Sequence, residues 1–217
     1  MTLQAKLDAF KVQFESQVPQ AAVDAMHRAT DELIATGQAE RAIKTGDVAP
    51  SFSLPDALGN TVVLSELLAK GPVVVTFYRG GWCPYCKLDL TALEEAADQI
   101  RAKGASLVVI SPQTPVNSKK STQELGLSFP ILSDANGDVS NAFGLRFRMP
   151  DYLIETYKSF GVQLPAINGD DSWTLPMPSR FVIAQDGTIA YAEINPDYTQ
   201  RPEPSEMYPV LDALPRQ

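Results

Sequence analysis

Val73-Val74-Val75-Thr76-Phe77-Tyr78-Arg79-Gly80-Gly81-Trp82-Cys83-Pro84-Tyr85-Cys86 is the stretch whose reading decides the fold. Val73 to Tyr78 is an apolar run rich in β-branched residues. A strand with one wet face would alternate, so this run reads as a strand buried on both faces. Arg79-Gly80-Gly81-Trp82 is a loop. Beyond it, Cys86, Leu90, Leu93, Ala97 and Ile100 recur at steps of 4, 3, 4 and 3 residues, which is one face of a helix. Lys103-Gly104 ends that helix. Leu107 to Ser111 is a second buried strand. Strand, helix and strand at these lengths form a βαβ unit with parallel strands and a right-handed crossover.

Upstream, Gly46-Asp47-Val48-Ala49-Pro50 breaks the chain. Phe52–Leu54 and Val62–Leu64 flank Asp56–Gly59 and read as a hairpin. Ser65–Leu68 is a short helical turn. Residues 1–45 are expected to be an N-terminal helical extension, and 46–217 the main domain. Leu3, Leu7, Phe10 and Phe14 share one helical stripe, and Ala22, Met26, Leu33 and Ile34 carry a second after Pro19. So long an apolar stripe must be covered, by the main domain or by a second copy of the chain in a homodimer. Downstream, Ser118–Gly126 reads as a polar helix, Phe129–Leu132 as a strand and Asp138–Phe143 as a helical turn. Asp151 is expected to cap a helix through Phe160. Gly161–Pro178 reads as loop. Arg180–Ala184 and Thr188–Glu193 flank Asp186-Gly187, a strong hairpin signal, and Ser205 opens a terminal helix.

The 217 residues suit one domain with an appendage. Eighteen basic against 26 acidic residues give a net charge of −8, which argues against a nucleic-acid groove. The apolar runs are too short to span a bilayer. The first residues alternate charged and apolar side chains, unlike a signal peptide, so the expected location is the cytoplasm.

The only thiols are Cys83 and Cys86. Cys83 falls at the start of the helix, where free N–H groups and the helix dipole favour an anion. Pro84 fits the first turn, where no N–H is needed. Cys86 continues the apolar stripe and should be buried. The pattern predicts an exposed attacking thiolate at Cys83 and a buried thiol at Cys86 that closes the disulfide. A structural disulfide across so tight a loop would add little. A metal site would need two more ligands, and the only histidine, His27, lies far away in the extension. Zinc or an iron–sulfur cluster would have to be shared between two chains. Redox chemistry without a cofactor is the expectation. Asp134-x-Asn136-Gly137-Asp138 lacks the spacing and closing Glu of a calcium loop and reads as a turn.

Several separated motifs resemble the peroxiredoxins, the alkyl hydroperoxide reductase C and thiol-specific antioxidant family. They are Gly46-Asp47-x-Ala49-Pro50-x-Phe52-x-Leu54, Gly59-x-x-Val62-x-Leu64-Ser65, Val74-Val75-x-Phe77-Tyr78, Leu127 to Asp134, and Phe181-Val182-Ile183 before Asp186-Gly187. The resemblance covers about Gly46 to Ile194. It implies a thioredoxin-like α/β fold, a central mixed sheet flanked by helices, and thiol-dependent hydroperoxide reduction.

The departures bear on the roles. Peroxiredoxins carry Pro-x-x-x-Thr-x-x-Cys after the Phe-Tyr strand. Here Arg79, Cys83 and Cys86 occupy those positions, which would make Cys86 the peroxidatic residue. The resemblance of Trp82-Cys83-x-x-Cys86 to thioredoxins makes Cys83 the nucleophile instead, with Trp82 shielding it, and the burial argument favours Cys83. Aligned on Phe181, Pro178 replaces a peroxiredoxin arginine and matches the cis-proline of thioredoxins, so it is expected to be cis and close to the sulfurs. Arg180 then either faces the thiolate or lies at a strand edge. Arg79 either lowers the pKa of Cys83 or makes an exposed salt bridge. The expected function is a peroxidase for hydrogen peroxide or organic hydroperoxides, reset by thioredoxin, glutaredoxin or glutathione. The alternatives are a thiol–disulfide oxidoreductase and a redox-sensing module.

Overall fold

The computed structural model describes residues 1–215. In chain order, the extension holds α1 (Leu3–Gln17), α2 (Gln20–Ala35) and α3 (Gln38–Arg41). The hairpin β1 (Ser53–Pro55) and β2 (Thr61–Val63) leads into α4 (Leu64–Leu68), β3 (Val73–Phe77), α5 (Pro84–Ala102) and β4 (Ser106–Ser111). Then come α6 (Pro115–Leu125), β5 (Ile131–Ser133), α7 (Asp138–Ala142), β6 (Arg146–Arg148), α8 (Asp151–Ser159) and α9 (Leu164–Asn168). The chain ends in β7 (Thr174–Pro176), β8 (Ser179–Ile183), β9 (Ile189–Ile194), a 3-10 turn at Pro204–Met207 and α10 (Tyr208–Ala213).

The central sheet runs β5-β4-β3-β8-β9. β3 is parallel to β4 and β4 to β5, whereas β8 is antiparallel to both β3 and β9. This is a thioredoxin-like mixed sheet, and all five residues of β3 are buried. Alternation distributes them over two cores. Val74 packs with Cys86, Leu90, Leu93 and Ile100 of α5. Val73, Val75 and Phe77 pack on the opposite face with Phe143, Phe181 and Ile183.

The stripe of α1 is covered within the chain. Leu3 and Leu7 are buried in the same cluster as α5, with Phe10 packed against it, and Phe14 joins a third cluster around α8. Met26 of α2 also lies in that third cluster, beside Tyr157 and Trp173.

Three expectations need correction. Gly161–Pro178 is not all loop: it contains α9 and β7, and β7 pairs antiparallel with β6 in a small ribbon outside the main sheet. Three-residue strands leave too few positions for alternation to register. Asp151 is the first helical residue of α8, with Pro150 at the cap and no side-chain capping bond. Pro178 is trans, as are all peptide bonds among the described residues. It lies where the chain passes from the ribbon into β8. The Met177 N–H bonds the Leu145 carbonyl and the Pro178 carbonyl accepts from Asn195 N–H, so extended pairing holds both flanks. The strand alignment that suggested a cis bond does not require the chain to reverse here.

Candidate active site

The loop between β3 and α5 is built for close approach. Gly80 has φ 146°, and a β-carbon there would collide with the indole nitrogen of Trp82. Gly81 donates its N–H to Gln113 Oε1 (2.8 Å), which also accepts from the Tyr78 hydroxyl (2.8 Å). Cys83 N–H closes the turn on the Gly80 carbonyl, and its own carbonyl accepts the first helical bond from Lys87 N–H. Cys83 is thereby the N-cap of α5, with Pro84 in the first turn, as the sequence implies. No side chain caps this end. The Cys86 N–H in the first turn hydrogen-bonds the Cys83 sulfur instead.

Cys83 is not exposed, contrary to expectation. It is 1% accessible, and Cys86 is 0%. The cover comes from far along the chain. Tyr157 of α8 meets Trp82 edge to face, with 5.5 Å between centroids, and Tyr198 meets Tyr85 at 5.5 Å. Phe10 of α1 meets Tyr85 at 5.1 Å, and Phe14 meets Phe160 at 6.3 Å. All of these except Phe10 wall a cavity of about 300 Å³ over Cys83. Phe14 and Met26 of the extension are among its lining residues.

Arg79 is the one charged residue lining this cavity. It is 3% accessible, so the exposed salt bridge weighed from the sequence does not form. One terminal nitrogen lies 3.9 Å from Cys83 Sγ, and the other donates to the Tyr157 hydroxyl at 2.7 Å. The guanidinium carbon sits 4.2 Å from the Tyr198 ring centre, 4.9 Å from Trp82 and 5.6 Å from Tyr157. This is a cation held by aromatic faces. Among the described residues, no carboxylate lies within ion-pair distance of it.

Cys86 has a different neighbour. Arg201 donates to its Sγ at 3.4 Å and to the Tyr198 and Gln200 carbonyls at 2.6 Å each. The Arg201 Nε lies 3.4 Å from Asp89 Oδ2, and Arg180 forms an ion pair with Asp89 Oδ1. Arg180 also donates to Thr76 Oγ1 and to the Pro202 carbonyl. Arg180 is therefore neither at a surface edge nor on a sulfur. It anchors Asp89, and Arg201 takes the position beside the thiol. Asp89 was legible in principle, as a carboxylate on the buried stripe three residues after Cys86. Arg201, Tyr157 and Tyr198 carry no local signal. Asp134 belongs to the fold, since its carboxylate accepts from Val139 and Ser140 N–H at the start of α7.

These surroundings separate the thiols. Burial opposes the Cys83 anion, but a hydrogen bond from Cys86 and the charges of Arg79 and Arg201 overcome it, bringing the pKa down to about 5. Burial, and then the Cys83 charge, push Cys86 well above the usual thiol value.

The AhpC/TSA family model matches residues 45–192. The chain belongs to that family. A putative peroxiredoxin of Mycobacterium tuberculosis is 30% identical over 150 residues, covering 69% of this chain and 84% of the relative. Peroxiredoxin Bcp of Escherichia coli is 32% identical over 103 residues, covering 48% of this chain and 65% of its own length. Among solved structures, peroxidoxin BcpB from M. tuberculosis superposes with a TM-score of 0.60 at 26% identity, covering 78% of this chain and 94% of that one. The chain is a peroxiredoxin-type oxidoreductase, a thiol-dependent peroxidase. The family match begins at residue 45, so α1 to α3 lie outside it.

Proposed function

We propose that Cys83 is the attacking thiolate and Cys86 the resolving thiol of the peroxidase cycle. The observation that carries this reading is the placement of Cys83 at the bare N-terminus of α5, facing a buried arginine that has no carboxylate partner. The Cys83 thiolate attacks the distal oxygen of the hydroperoxide. The O–O bond breaks, Cys83 becomes a sulfenic acid, and the alkoxide or hydroxide leaves and takes up a proton. Arg79 stands beside the charge in transit. Cys86, its forming thiolate steadied by Arg201, attacks the sulfenic sulfur, and the hydroxyl leaves as water. Two equivalents of thiol reductant then return the disulfide to the dithiol and leave as their own disulfide.

Burial of Cys83 disfavours the reading as an oxidoreductase for protein disulfides, because a folded protein cannot reach a sulfur this covered. It also favours a small thiol such as glutathione over thioredoxin or glutaredoxin. The cytoplasm, where such thiols are kept reduced, suits the cycle. Leu3, Leu7 and Phe10 pack in the α5 cluster and Phe14 in the one around α8, so covering the α1 stripe does not require a homodimer. The N-terminal extension counts as part of the catalytic unit on this reading, because Phe14 and Met26 line the cavity. Rapid mixing of the reduced chain with hydrogen peroxide, followed by tryptophan fluorescence, tests the cycle. Two phases are expected, the first dependent on peroxide and the second not. A reaction no faster than that of free cysteine would refute it.

A further inference from the structure

The buried charges around the two sulfurs do not balance. Arg79, Arg180 and Arg201 face the Asp89 carboxylate and, in the reduced chain, the Cys83 thiolate. Asp89 answers Arg180 and Arg201 together. Only the thiolate answers Arg79. A disulfide between Cys83 and Cys86 carries no charge, so oxidation leaves Arg79 buried without any anion. An uncompensated buried charge is strongly unfavourable.

The structure offers room for a replacement. The cavity over Cys83 reaches Arg79, whose Nε is buried with no hydrogen-bond partner, and the Trp82 indole N–H is buried and unpartnered as well. Cys83 and Pro84, at the N-terminus of α5, line the same cavity. The remaining wall is aromatic and aliphatic: Phe14, Met26, Tyr157, Phe160 and Val162. A hard, strongly hydrated anion would lose its water against such a wall. A soft monovalent anion would lose less.

We infer that this cavity is a redox-gated anion site, closed by the Cys83 thiolate in the reduced chain and open to a soft monovalent anion in the disulfide form. The inference rests on the reading of Cys83 as the thiolate. The anion the cycle needs at that moment is a thiolate, the species that cleaves a disulfide. The site therefore draws in the ionised form of a small thiol reductant. Its sulfur attacks Cys83 Sγ, which lines the cavity; the S–S bond breaks, and Cys86 leaves as a thiolate beside Arg201 and takes up a proton. A second thiolate attacks the reductant sulfur of the mixed disulfide, which releases the reductant's own disulfide and returns the Cys83 thiolate beside Arg79.

Iodide is a suitable probe, because Arg79 lies against the Trp82 ring and an iodide bound there would quench its fluorescence. The chain is oxidised with diamide, so the test does not depend on peroxidase activity, and is titrated with iodide at constant ionic strength beside the dithiol form. Saturable quenching is expected in the disulfide form, with affinity about tenfold or more above the dithiol form. Arg79→Gln should remove the saturable component, and Arg79→Lys should keep it. Equal quenching of the native chain in both redox states would overturn the inference, and that comparison stands even if Arg79→Gln does not fold. So would saturable quenching that survives in a folded Arg79→Gln chain. If Cys83 proves not to be the thiolate by alkylation of the reduced chain, the underlying reading fails, and that result is separate from the quenching outcome.

Discussion

One helical turn separates the two sulfurs, and burial is the same for both, yet their arginines are held in opposite ways. Arg79 beside Cys83 is held by aromatic faces and a phenol, with its charge unspent. Arg201 beside Cys86 shares the Asp89 carboxylate with Arg180, so much of its charge is already answered. The comparison teaches that burial does not select the nucleophile here. On the proposed assignment, the selection comes from which buried cation still lacks a carboxylate, reinforced by the helix N-terminus at Cys83.

The largest expected effect tests the difference at its root. Cys83→Ser should abolish reaction with peroxide and with alkylating reagents at neutral pH, whereas Cys86→Ser should react once and stop at the sulfenic acid. Mass spectrometry after one equivalent of peroxide distinguishes them. Oxidation of Cys86 at near-native rate in the Cys83→Ser chain would reverse the roles and restore the peroxiredoxin register.

Removing the carboxylate breaks the other side. Asp89→Asn leaves Arg180 and Arg201 buried and unanswered, and should destabilise the fold by about 3–5 kcal/mol. A lowered urea midpoint checks it. An unchanged midpoint would mean that the pair contributes nothing.

A smaller loss is expected at Arg79. Arg79→Gln should slow the peroxide phase about 10- to 100-fold near pH 6, where the thiolate fraction would fall, and less at high pH. Stopped-flow rates across pH separate this from general damage, which would lower all rates equally. Arg201→Met should act on the second phase instead, slowing disulfide closure about tenfold while the peroxide phase changes less.

The sequence made the βαβ unit and the place of both cysteines legible, because those depend on local periodicity: the Val73 run, the stripe from Cys86 to Ile100, and Pro84 in the first turn. Asp186-Gly187 marked the β8–β9 hairpin for the same reason. What sequence could not reach is what arrives from a distance. Tyr157 and Tyr198 bury Cys83 from positions more than seventy residues downstream, Arg201 meets Cys86 across 115 residues, and Phe14 and Met26 enter from the extension. Pro178 was misjudged because a matching strand alignment fixes its position but not its peptide geometry.

The central claim is that Cys83, though buried, is the anion. Thiolate absorbance and iodoacetamide alkylation of the reduced chain, followed across about pH 4 to 8, test it most directly. A thiol with a lowered pKa is ionised above that value and protonated below it. Labelling of Cys83 should therefore hold nearly constant at neutral pH and fall tenfold per unit below about 5, with Cys86 unlabelled throughout. A single transition near the ordinary thiol value, or label appearing first on Cys86, would contradict the account.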